Sequence, residues 1–247
     1  MEGRMIHLKF RNNLLISTLA LISVLIFTTI CSAQKSTGCY LSGSPSAFGT
    51  LRTTTGDARV DEAAAEEVVR LRAMFGVNPG FRFITDGNAP NAYATSEIQE
   101  QGRPDGTVLF GLSLHHRELA KSPGGTPIPM IMAHEFGHIL AFKNGLEFGG
   151  KYNELFADFV AGSYMFFRKD WKPTNIDDTL RTFFEIGDYV FNSPQHHGTP
   201  KERYSAVLTG YQVTEDWVER GNRMEIKDLL GTAKAFIESQ KRLSGKK

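Results

Sequence analysis

His134, Glu135 and His138 are the residues of this chain whose types and spacing could do chemistry. Two histidines four apart in a helix are offset by about 40° and stand one turn above the other, so both imidazoles reach a single ion. Glu135, beside His134, can address a water on that ion, where a carboxylate acts as general base toward a metal-polarised nucleophile. The alternative is two partly exposed histidines on an amphipathic surface helix. The flanks oppose it. Met130, Ile131, Ala133, Phe136, Ile139, Leu140 and Phe142 make the helix apolar nearly all round and therefore buried, where two histidines and a glutamate are costly unless something pairs them.

A catalytic ion of this kind takes three protein ligands and keeps one position open. Asn153-Glu154-Leu155-Phe156-Ala157-Asp158 opens the next helical pattern, and Glu154 and Asp158 are one turn apart on one face. With the Gly-rich stretch from Lys143 to Lys151 as the turn, an antiparallel helix returns Glu154 to the histidines as third ligand. Asp158 then becomes the acceptor that fixes one histidine ring. Ala157, Ala161 and Gly162 leave room for close helix packing. The competing reading of Glu154 and Asp158 is an acid pair on a solvated helix face.

The elements that must hold these residues are legible in part. Asp61 to Phe75 carries Ala64, Val68, Leu71 and Phe75 at helical spacing, with Gly76 as its stop. Phe81 to Ile84, Ala92 to Ala94 and Thr107 to Leu112 read as short strands. Helices are expected over Met130–Lys143, Tyr152–Arg168 and Ile176–Phe191. Thr199-Pro200-Lys201-Glu202 reads as a capping box that starts another, to about Gly210. Met224 to Gln240 presents Ile226, Leu229, Leu230, Ala233, Phe236 and Ile237 as one stripe. His115-His116 are expected in a solvated loop.

With these residues in place, His-Glu-x-x-His followed by a helix with Glu-x-x-x-Asp resembles the gluzincin zinc metallopeptidases, the thermolysin-like clan. Asn91-Ala92-Tyr93-Ala94 and the following Thr107-Val108-Leu109-Phe110 are similar to the edge strand and next strand of the family containing the CAAX prenyl proteases and HtpX. That resemblance implies that Asn91, Ala92, Tyr93 and Ala94 form the edge on which an extended peptide substrate pairs. His197-Gly198-Thr199-Pro200-Lys201-Glu202-Arg203 resembles the His-Pro segment with a downstream Arg of that family, and more closely a segment of the neutral zinc metallopeptidases. It implies His197 as a donor to the oxyanion and Arg203 as the holder of an acid. The chain departs from the prenyl-protease and HtpX pattern in having one apolar segment where those have a multi-helix membrane portion.

The chain has 247 residues with 28 basic and 27 acidic side chains, which suits one globular domain and gives no excess field for nucleic acid. Lys9 and Arg11 precede an uncharged apolar run from Leu14 to Ile30, and Cys31-Ser32-Ala33 supplies small residues before Gln34. This is the order of an export signal spanning 1–33. Two other fates are open: retention as a membrane anchor, or lipid attached at Cys31. Beyond the signal only Cys39 remains, so no internal disulfide forms. Residues 34–56 read as an irregular lead-in and 57–247 as one domain.

The expectation is an α+β, zincin-like (minimal gluzincin) domain with a small mixed sheet, an active-site helix and C-terminal helices. It would be exported and hold one zinc ion on His134, His138 and Glu154, with Glu135 as base for peptide hydrolysis. The rival is a non-catalytic scaffold with a structural zinc. Structural sites are normally closed by four protein ligands, and the sequence shows no convincing fourth.

Overall fold

Alternation of apolar and polar residues builds the sheet. In β3 (Gly80–Thr85), β4 (Ala92–Thr95) and β5 (Thr107–Gly111), Phe81, Phe83, Ala92, Ala94, Val108 and Phe110 point to one face and join the main core. Ile84, Tyr93 and Leu109 point to the other face, with Leu51. The computed structural model describes residues 40–41, 49–87, 90–122, 124–168 and 198–245, all of them within one compact unit spanning Ser36–Lys247. The segment expected to be an export signal, the helix expected over 176–191, and His197 fall outside the described residues. Among those described, no helix is long and apolar enough to cross a membrane.

Two further strands come from the lead-in. They are β1 (Tyr40–Leu41) and β2 (Thr50–Arg52), and the sheet order is β1-β4-β5-β3-β2. The β4–β5 and β2–β3 pairs are antiparallel, while β3–β5 and β1–β4 are parallel. Residues 34–56 are therefore not wholly irregular, and the sheet begins before residue 57. The expected edge strand is likewise displaced: β4 is second from the edge, with Tyr40 opposite Ala94 and Leu41 opposite Thr95. Short segments that borrow their pairing from a distant strand carry no periodicity of their own, so neither is evident in the sequence.

The helices supply the rest of the core. α1 (Ala58–Phe75) is capped by Asp57, whose side chain accepts from the Arg59 N–H, and ends at Gly76 in the left-handed region. α2 (Leu112–Lys121) replaces the loop expected around His115-His116, and His115 is buried in it. Its cap comes from far away in sequence: Asp86 accepts from the backbone N–H groups of Ser113 and Leu114, and also from that of Asn91 at the start of β4. α3 (Pro127–Lys143) begins earlier than expected, because prolines in a first helical turn forfeit no intrahelical bond. α4 (Lys151–Phe167), α5 (Pro200–Glu219) and α6 (Ile226–Ser244) follow. The Thr199–Glu202 capping box is formed, but α5 continues well past Gly210.

Helices α3, α4 and α5 meet almost backbone to backbone. A β-carbon on Gly162 of α4 would stand 2.0 Å from the Val207 carbonyl oxygen of α5, and one on Gly210 of α5 would stand 2.0 Å from the Phe159 carbonyl oxygen. A methyl group cannot enter either place without moving a helix. Replacing Gly162 by alanine recovers up to about 1 kcal/mol of helix propensity, yet overpacking against backbone costs up to about 3 kcal/mol. Gly162→Ala is expected to lower stability by about 2 kcal/mol in chemical denaturation, despite being the better helix former.

Candidate metal centre

Helix α3 is buried along nearly its whole length, and it carries His134, Glu135 and His138 at 2%, 1% and 1% exposure. Glu154, in the first turn of α4, is 3% exposed. The turn between the helices is fixed locally: the Phe148 N–H donates to Asn153 Oδ1 at 2.8 Å, and the Lys143 ammonium at the end of α3 donates to Asp105 and to the Gly76 carbonyl. Inside α3, Gly137 sets the approach of the two helices, since a β-carbon there would stand 2.9 Å from Ala157 Cα. That close contact brings the start of α4 to the histidines.

The donor atoms converge. His134 Nε2 and His138 Nε2 are 3.2 Å apart, His134 Nε2 and Glu154 Oε2 3.5 Å, and His138 Nε2 and Glu154 Oε1 3.6 Å. An ion held tetrahedrally at about 2.0–2.2 Å separates its donors by about 3.3–3.6 Å. The triangle has the size one ion requires. Two imidazoles facing each other nitrogen to nitrogen, with a carboxylate beside both, form a donor set that a cation unites. His134, His138 and Glu154 thus form a buried group that could bind a metal ion.

Around this triangle lies a second layer of charge. Asp158, fully buried one turn after Glu154, sits 2.8 Å from His134 Nδ1 through Oδ1. Arg203 of α5, 1% exposed, grips the same carboxylate with two parallel bonds, Nε to Oδ2 at 2.8 Å and Nη2 to Oδ1 at 2.7 Å. Such forked pairing is the strong geometry for arginine and carboxylate. The guanidinium also lies 3.7 Å from Glu154 Oε2 through Nη1. Arg203 therefore joins α5 to the centre through Asp158, as the holder of an acid. Lys151 and Glu202 reinforce the junction, since the Lys151 ammonium donates to Glu202 Oε1 at 2.6 Å while Glu202 also accepts from the Thr199 N–H.

A scan of protein-family models, a search of curated proteins and a search of solved structures each found no match to this chain. The site thus rests on its own geometry.

The electrostatics of the metal-free protein follow from burial and these partners. Burial is the main influence on His138 and lowers its pKa, so it stays neutral and its nitrogen remains a donor to a cation. At His134 burial also opposes charge, yet the hydrogen bond and charge of Asp158, with Glu154, outweigh it and push the pKa up to about 9. Burial works against the charge on Asp158 too, and the Arg203 guanidinium prevails, holding that carboxyl below its ordinary value. Asp158 therefore remains an anion and an acceptor for the Nδ1–H of His134. This leaves Nε2 to face the triangle.

Of the residues named from sequence, His134, Glu135, His138, Glu154, Asp158 and Arg203 are brought together in the buried region between α3, α4 and α5. Asn91 to Ala94 lie at and within β4, against α3. His197 is not among the described residues, although Gly198 next to it packs against Leu155, where a β-carbon on the glycine would lie 3.4 Å from that side chain. Sequence reasoning misses the contributions of Gly137 and of the Lys151–Glu202 pair. A glycine inside an otherwise continuous apolar helix is the one available signal for Gly137.

Two outcomes are expected. Asp158→Asn should weaken metal binding about 10–100-fold in chelator competition. It should also cost about 3 kcal/mol of stability, because it leaves Arg203 buried without its anion. Binding an ion must displace the extra proton of His134, so affinity should rise with pH up to about 9 and level off above, with proton release measurable by calorimetry. In the metal-free protein the sign reverses. The stability contributed by that proton is complete below the ordinary histidine pKa of about 6.5 and is lost as pH rises through about 9.

Proposed function

We propose that this chain is an exported zinc metallopeptidase of gluzincin type, hydrolysing peptide bonds. The observation that carries the proposal is the triangle of His134, His138 and Glu154 with Glu135 in the same buried helix turn. Two imidazole nitrogens and one carboxylate suit zinc among the common divalent ions. When bound, zinc polarises a water and the substrate carbonyl as a Lewis acid.

The chain's own residues do the remainder. His134, His138 and Glu154 hold the ion, and Glu135 takes the proton of the attacking water and returns one to the leaving amine. Asp158 keeps the His134 ring in the orientation that points Nε2 inward, and Arg203 keeps Asp158 in place. The peptide lies extended along the outer side of β4, in place of the β1 pairing at Ala94 and Thr95, and the inward side chains Ala92 and Ala94 are small and let the sheet come close to α3. His197, beside Gly198 at the start of α5, is the proposed donor to the developing oxyanion. The natural substrate is a peptide or protein. Contact with a membrane follows only if the apolar segment at 14–30 is kept or Cys31 carries lipid.

The proposal is tested by purifying the chain with zinc and comparing it with Glu135→Gln on a mixed peptide library read by mass spectrometry. Cleavage by the unmodified chain should fall about 10²–10⁴-fold in the variant, with one zinc retained in both. Zinc in both proteins with no cleavage by either would instead establish the scaffold role.

A further inference from the structure

β1 lies where the proposed substrate would lie. Tyr40–Leu41 pairs with β4 at Ala94 and Thr95, on the side of β4 away from β5. The inward residues of β4 share a core with Met130 and Ala133 of α3, the helix of the metal centre. A sheet edge has one row of backbone donors and acceptors, so an extended peptide and β1 cannot both pair with the same residues of β4. Resting on the peptidase reading of the site, we propose that the chain's own lead-in strand is a resident, displaceable occupant of the substrate edge, and that it limits access of peptides to the centre.

The length of β1 makes it displaceable. It is a ladder of two residue pairs, against an ordinary strand of about five or six, so its pairing is weak by itself. The tether compensates. Leu41 and the next paired residue, Thr50, stand on opposite edges of the sheet. Four interstrand spacings of about 4.8 Å and an offset of five residues along the strands, from the level of Gly80 to that of Thr85, separate them by about 25 Å, while the nine chain steps between them reach about 30 Å. The connection is thus long enough for β1 to leave β4 while β2 stays paired with β3. A segment so tethered competes at an effective concentration of about 1 mM, and if its own affinity is on the order of 0.1 mM it raises the apparent KM about tenfold. Peptides that pair over more of β4 than two residues would prevail, which selects for long extended substrates.

The test compares the full zinc-loaded chain with a Tyr40→Pro/Leu41→Pro form, in which β1 has no backbone N–H to donate. Expected are an apparent KM about tenfold lower with kcat unchanged, and faster hydrogen exchange at Ala94 and Thr95. A fluorescent peptide of residues 36–46 should bind the variant but not the unmodified chain, and unrelated extended peptides should displace it. Unchanged KM, or failure of the labelled peptide to bind the variant, overturns the proposal. If the proline form loses zinc or helical circular dichroism, the Tyr40→Gly/Leu41→Gly form is put through the same measurements and decides by the same results. If no library peptide is cleaved by any form, the peptidase reading fails by itself. The lead-in proposal is then judged by the labelled-peptide and exchange measurements alone, sustained by binding that peptides compete for and overturned by its absence.

Discussion

Burial of five ionisable side chains in one small volume is the constraint around which this molecule is arranged. His134, His138, Glu154, Asp158 and Arg203 are all 3% exposed or less, and water cannot compensate them there. Each must be satisfied by another, which requires α3, α4 and α5 to approach more closely than side-chain packing normally permits. The small residues along α4 and the glycines opposite them make that approach possible, and the apolar residues of the same helices supply the burial that drives it. Stability and site are therefore not separable: the same helix faces form the core and the centre.

Within the cluster the charges follow an order running outward from the triangle. The carboxylate of Glu154 faces both imidazoles, Asp158 backs His134, and the guanidinium of Arg203 backs Asp158 while standing near Glu154 as well. An arginine so close to a cation site weakens the pull of the acids on an ion. It also keeps the buried Asp158 carboxylate anionic when no ion is present, which a cluster of histidines and acids alone would not do. The centre is thus electrostatically tolerable both with and without a metal.

The local part of this is legible in the sequence and the non-local part is not. The His134–His138 spacing, the Glu154–Asp158 spacing and the Thr199–Glu202 cap are each contained within one helical turn or box, and each is found as read. Helix α2 depends on Asp86, which precedes it by two strands, so nothing within the segment around His115 announces a helix. The two lead-in strands depend likewise on β4 and β3 for their existence. Gly137 takes its meaning from Ala157, twenty residues later in the chain. Long-range pairing is what a reading by periodicity lacks.

The near contact of backbone with backbone at Gly162 and Gly210 bears on how the protein would take up a metal ion. Side chains can change rotamer, but a carbonyl oxygen pressed against a glycine α-carbon leaves a helix few alternative positions. With Gly137 fixing α3 against α4 in the same way, the three donors on those two helices are assembled ahead of any cation, as a mould made before the casting. Capture of a metal would then order little additional chain, and its pace would be set by dehydration of the ion and its passage to the buried triangle rather than by folding.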